Sequence, residues 1–155
     1  MNKILKASVV VTIFLMGCLS FAVAQELKES NVPSEVKQAF QEKYPNTYVY
    51  EWEWKRKKSL YKSEFMWKRL KYEAYFTKEG KWILSEYEIA AHELPEVVHK
   101  AIASGEYANW EIDDIDVIHS PEHEVSYEIE VKRNKQKRKL YYLPDGKLLR
   151  TEFIK

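Results

Sequence analysis

Two stretches decide how this chain is read: Val32-Pro33-Ser34-Glu35-Val36-Lys37-Gln38-Ala39-Phe40 and Leu94-Pro95-Glu96-Val97-Val98-His99-Lys100-Ala101-Ile102. They match at an offset of 62, and the likeness continues downstream. Tyr44-Pro45-Asn46 meets Tyr107-Ala108-Asn109 at 63, and Glu79-Gly80-Lys81 meets Asp145-Gly146-Lys147 at 66. A fixed order with slowly drifting offsets is the mark of an internal repeat with small insertions in its turns. Each unit opens with a proline at a helix start, where a fixed φ and a missing N–H cost nothing. Val36, Ala39, Phe40 and Tyr44 fall at i, i+3, i+4 and i+8, one apolar stripe, and Val98, Ala101 and Ile102 repeat it. Helices of about ten residues are marginal alone, so each must be held by packing.

The partner is sheet, because the remainder of each unit alternates with period two. Tyr48, Tyr50, Trp52 and Trp54 interleave with Val49, Glu51, Glu53 and Lys55, and Val125, Tyr127, Ile129 and Val131 interleave with Ser126, Glu128, Glu130 and Lys132. Gly80 and Gly146 stand where hairpins need positive φ. The expected elements are helices at 34–43 and 95–104, with strands near 47–56, 59–68, 72–77, 81–89, 110–118, 124–133, 138–143 and 147–154. The fold class is α+β: tandem αββββ repeats forming an antiparallel sheet with helices on one face.

Upstream, Lys3 and Lys6 precede an apolar run from Ala7 to Met16, and Phe21-Ala22-Val23-Ala24 ends in an A-x-A pattern. That is the form of a secretory signal peptide over 1–24. The division is then signal 1–24, linker 25–31, first repeat 32–91 and second repeat 92–155. A periplasmic or secreted location is expected after cleavage near Ala24. Leu15-Met16-Gly17-Cys18 resembles a lipoprotein box, which would make Cys18 a lipidated first residue. Cleavage at Ala24 removes the only cysteine, excluding disulfides and thiol chemistry from the mature part. It leaves 23 lysines and arginines against 24 acidic residues, a balance that predicts no polyanion and no nucleic-acid partner.

The signal, the Pro-led helices at Val32-Pro33 and Leu94-Pro95, and the Gly80-Lys81 and Gly146-Lys147 hairpins together resemble the PepSY-like, β-lactamase-inhibitor-protein-like family exported by Bacteroidetes. The resemblance covers roughly residues 30–155 and implies units joined edge to edge into one curved sheet. Its helices would lie outside and its concave face would be open. Some proteins of that shape inhibit enzymes through the open sheet, but no inhibitory motif carries over to residues here.

Trp52 and Trp54 align with Ile115 and Val117 and read as core rather than as a sugar-stacking platform. By strand parity the opposite, open face carries Glu51, Glu53, Met66, Tyr75, Trp82 and Leu84 in the first unit. It carries Asp114, Asp116, Glu128, Glu130 and Tyr141 in the second. Met66, Tyr75, Trp82, Leu84, Tyr141, Glu51 and Glu53 are the candidate protein-binding residues, aromatic and methionine side chains beside acids. A basic run, Lys132 to Lys139, and Lys68-Arg69-Leu70-Lys71 mark hairpins that could touch anionic lipid or an acidic partner. His119, Glu122, His123 and Glu124 lack further ligands at a usual metal spacing. With no nucleophile elbow, HExxH or phosphate loop, no catalytic residue, metal or cofactor is assigned. The expected function is an exported, non-enzymatic binding module, with an exported or envelope protein, such as an enzyme or peptidase to be inhibited, as partner. The alternative is an envelope structural or stress protein that self-associates or contacts membrane through its basic hairpins.

Overall fold

The computed structural model describes residues 25–154, so the expected signal segment, Cys18 included, lies outside the described residues. The chain order is β1 (Gln25–Leu27), α1 (Ser34–Lys43), β2 (Val49–Lys55), β3 (Leu60–Trp67), β4 (Leu70–Phe76), β5 (Trp82–Glu88), α2 (Glu96–Ser104), β6 (Glu111–His119), β7 (Ser126–Arg133), β8 (Gln136–Tyr142) and β9 (Leu148–Ile154). Short 3₁₀ turns at Glu29–Asn31 and Ala91–Glu93 lead into the two helices. All nine strands form one antiparallel sheet in sequence order. The expected linker at 25–31 supplies an edge strand, as Gln25, Glu26 and Leu27 pair with Trp54, Glu53 and Trp52.

The units are continuous: Ser85, Glu86, Tyr87 and Glu88 of β5 pair with His119, Ile118, Val117 and Asp116 of β6. Pro33 and Pro95 sit just ahead of the helices at φ −53° and −55°, their carbonyls accepting the first helical bonds from Lys37 and His99. Both helices cover one face. Val36 and Phe40 pack with Trp52, Phe65, Tyr72, Ala74 and Phe76, while Val98 and Ile102 pack with Ile115, Val117, Ile129, Val131 and Leu140. Tyr87, at the seam, packs against both clusters.

The turn glycines serve these helices as well as the hairpins. Gly80 and Gly146 have φ of +80° and +84°, and a Cβ on either would meet a helix. On Gly80 it would fall 2.5 Å from the Glu35 carbonyl oxygen, and on Gly146 3.1 Å from that of Val97. The glycine-lysine repeat in the sequence therefore records the docking of each helix on its β-turn.

Register shifts lie between Val49 and Glu51, Tyr75 and Phe76, Ile112 and Asp114, and Tyr141 and Tyr142. Each unit thus repeats two bulges at equivalent places. A bulge reverses the in-out alternation beyond it. Trp52 is core, as expected, and Trp54 is half-buried beside Tyr61. Tyr50 is the bulged residue, 45% exposed, and Val49 takes the core position in its stead.

Candidate functional site

The face away from the helices has no second layer among the described residues. Its central side chains are nevertheless well ordered by one another. In the first unit Lys62, only 4% exposed, reaches three carboxylates: Glu53 at 2.9 Å, Glu73 at 3.1 Å, and Glu64. Lys55 adds a second contact to Glu53 at 2.5 Å, and Lys71 holds the other oxygen of Glu64 at 2.7 Å. Glu53 Oε2 has no well-directed hydrogen bond, so these ammonium groups reach it as ion pairs. Burial alone would push Glu64 up and Lys62 down. The bonds between them outweigh it, holding Glu64 at about 2 and Lys62 above its ordinary value.

Tyr75, on the same face, is 7% exposed. Its hydroxyl lies 2.7 Å from Glu73 and 2.8 Å from Glu86. A phenol has one proton to donate, so satisfying both contacts requires a proton on one carboxyl. Glu86 is suited to hold it, because burial, with Glu73 and Glu128 nearby, raises its pKa. Next to it across the seam, Asp116 is raised to about 7 by burial and by the charges of Glu86, Asp114 and Glu128. At the seam between the units, burial and acidic neighbours therefore raise the carboxyls of Glu86 and Asp116, whereas lysines lower those of Glu53 and Glu64.

The second unit uses the same positions with different charges. Lys62 faces Tyr75 across the β3–β4 ladder, and Glu128 faces Tyr141 across β7–β8. Lys62 bonds to Glu73; at the equivalent sites Glu128 bonds to Lys139. Lys137 bridges Asp113 at 2.8 Å and Glu130 at 2.5 Å, and Lys132 joins Asp113 at 2.5 Å. Three lysines of the basic run are thus paired with the protein's own acids. Arg138 turns to the other face, its guanidinium 3.7 Å from the Phe153 ring centre.

Of the candidates named from sequence, Glu51, Glu53, Met66, Tyr75, Leu84 and Tyr141 do share the open face, with Met66 54% exposed. Trp82 does not. Tyr75 pairs with Leu84 and the next residue, Phe76, with Trp82, so the bulge at Ile83 turns Trp82 to the helix side. There its indole N–H donates to Ser85 Oγ at 2.8 Å, which also takes the Tyr44 hydroxyl at 2.5 Å, and Lys43 lies 3.3 Å over its ring. It lines a helix-side cleft of about 450 Å³ between the end of α1 and the β6–β7 turn, with Lys43, Tyr44, Trp67 and His119.

Alternation alone does not reveal Lys62, Glu64, Glu73 and Glu86, the residues that organise the face. Their signal is charge patterning: Lys62 and Glu64 at i, i+2 in one strand, opposite Glu73 in the next. Oxygens of Glu51, Glu53 and Glu64 approach within 4.8 Å of one another, a spacing that could hold a cation. The Lys62 ammonium already supplies positive charge to two of them. His119 instead places Nδ1 2.6 Å from the Glu124 carbonyl oxygen, and its ring stacks on Tyr87.

An open nine-stranded antiparallel sheet, backed by two helices and built from a repeated αββββ unit, defines an α+β protein with one free sheet face. The chain belongs to the beta-lactamase-inhibitor-like, PepSY-like family, which it matches over residues 22–66 and 59–150. Among solved structures it is similar to a DUF2874 family protein from Bacteroides ovatus at 26% identity and TM-score 0.69, covering 78% of this chain and 86% of that one. A BLIP-like protein from Bacteroides fragilis matches at 26% identity and TM-score 0.67, covering 79% and 86%. A protein from Bacteroides eggerthii described as a "putative periplasmic" protein shares the fold at 22% identity and TM-score 0.67, covering 79% and 89%. No functionally curated protein matches the chain.

Proposed function

We propose that this protein is an exported, non-enzymatic binding module that lays its open sheet face on a partner protein in the bacterial envelope, in the manner of an inhibitor. The observation that carries this reading is the face itself. Its charges are held in place by one another before any partner arrives, as with Lys62 among Glu53, Glu64 and Glu73. Such pre-ordering lowers the entropy lost on association. Exposed Met66 and Lys71 border the buried Lys62, Glu64 and Tyr75 in the first unit, and exposed Asp114 lies on the same face in the second, offering polar, adaptable contacts. Family membership and the likeness to a BLIP-like protein support inhibition as the form of binding. The amino-terminal pattern and the periplasmic description of a structural relative support export.

Site-specific photocrosslinking in the source cells tests the reading. A crosslinker at Met66 or Asp114 is expected to trap one discrete protein, and one at exposed Gln38 or Lys100 on the helices is not. Adducts from the helix positions alone would sink the reading.

A further inference from the structure

The two ends of the sheet are unlike. β1 is three residues long, while β9 offers seven residues of outer edge. In the first unit the strand equivalent to β9 is β5, since Tyr75 pairs with Leu84 as Tyr141 does with Arg150, and Phe76 with Trp82 as Tyr142 does with Leu148. The outer edge of β5 is covered by β6. That of β9 has no strand against it among the described residues. The Ile89 N–H bonds to the Ile115 carbonyl, so alternate residues Tyr87 and Ser85 also point their backbone groups at β6. By equivalence Thr151 and Phe153 point theirs outward.

Side chains tell the same story. Tyr87 pairs with Val117 and packs against the cores of both units. Its counterpart Phe153 is 77% exposed, with Arg138 on its inner side and no strand on its outer side among the described residues. Arg150 and Glu152 flank Thr151 and contact each other at 3.0 Å while staying exposed, so an antiparallel pairing of β9 with itself centred on Thr151 sets each Arg150 also against the other copy's Glu152. The same register brings Phe153 towards Leu149, the exposed extra residue of the β9 bulge. Opposite charges directly across an antiparallel ladder stabilise it and like charges oppose it. The strand is complementary to its own copy, as a two-fold interface demands.

We propose that β9 is a self-association edge, through which two copies join antiparallel about Thr151 into one continuous sheet. The open faces of both copies then lie on the same side of that sheet, and the exposed edge is closed.

The test is a charge exchange read by sedimentation of the purified protein. The unaltered chain is expected to form dimers in the micromolar range. Arg150→Glu and Glu152→Arg each set like charges across the seam, and each is expected to weaken dimerisation by about tenfold or more. An equimolar mixture of the two variants restores both Arg–Glu pairs and is expected to dimerise again. Both side chains are exposed, so circular dichroism should show folded variants. Independently of any variant, amide exchange at Thr151 and Phe153 is expected to slow as protein concentration rises. A monomer at all concentrations, dimers indifferent to both substitutions, or open-ended oligomers from β9 joining β1 would each overturn the proposal.

Discussion

The two units share a backbone and differ in what fills it. Around α1 the core is aromatic, with Phe40 packed edge-on against Phe65 at 4.8 Å and Trp52 at 5.8 Å. Around α2 the corresponding volume is filled by Ile102, Ile115, Ile129, Val131 and Leu140. On the open face the contrast is one of charge. Glu53 of β2 faces Lys62, whereas Asp116, its equivalent in β6, faces Glu128. The exchange of Lys62 and Glu73 for Glu128 and Lys139 preserves a diagonal ion pair but leaves Asp116 beside a like charge. One fold therefore depresses the first carboxyl, where lysine bonds outweigh burial, and raises the second, where burial and acidic neighbours act together. The scaffold is set by apolar parity and turns, and charges can be reassigned on it without moving a strand.

The turn glycines give the largest expected difference between units. Gly80→Ala meets the Glu35 carbonyl at 2.5 Å and is expected to cost about 3–4 kcal/mol. Gly146→Ala, with 3.1 Å to the Val97 carbonyl, should cost about 1–2 kcal/mol by denaturant unfolding. Equal losses would show that the helices dock alike. Next comes the ion-pair exchange. Lys62→Met removes the ammonium shared by three carboxylates, leaving Glu53 to Lys55, Glu64 to Lys71 and Glu73 to the Tyr75 hydroxyl, and should cost about 2 kcal/mol, discounted for those remaining contacts. Lys139→Met strands one carboxylate, for about 1 kcal/mol or less. The reverse order would undo the assignment of Lys62 as the centre.

The third contrast between the units depends on pH. An unfolded aspartate titrates near 4. Asp116 titrates at about 7 in the folded protein, so its contribution to stability is fully present below about 4 and lost as pH rises through 7. Asp116→Asn should therefore match the parent near pH 4 and exceed it by about 1–2 kcal/mol at pH 8, after allowance for partial exposure. A constant difference across that range would mean that Asp116 is charged throughout.

Much of this was legible in the sequence. The repeat at offsets of 62 to 66 gave both helices, the eight strands of the two units and their order, because proline, glycine and apolar periodicity act locally. The candidate face was legible only as far as alternation holds. Glu51, Glu53, Met66, Tyr75, Leu84 and Tyr141 fell on the expected side; Trp82 fell on the other because a bulge at Ile83 inserts one residue without any distinctive residue type to announce it. Tyr50 shows the same failure at the bulge in β2. β1 was missed because three residues carry too little pattern to mark a strand.

By itself, the sequence determined that two αββββ units must bury one face of each strand under a short helix, since each helix stripe and each alternating strand is visible within a few residues. Tertiary structure alone decided that β5 and β6 join the units into one sheet, and that Lys62 gathers three carboxylates. It also decided that Glu86 and Asp116 meet across the seam. Those outcomes depend on register between strands distant in the chain, and a shift of one residue at a bulge exchanges which side chains meet.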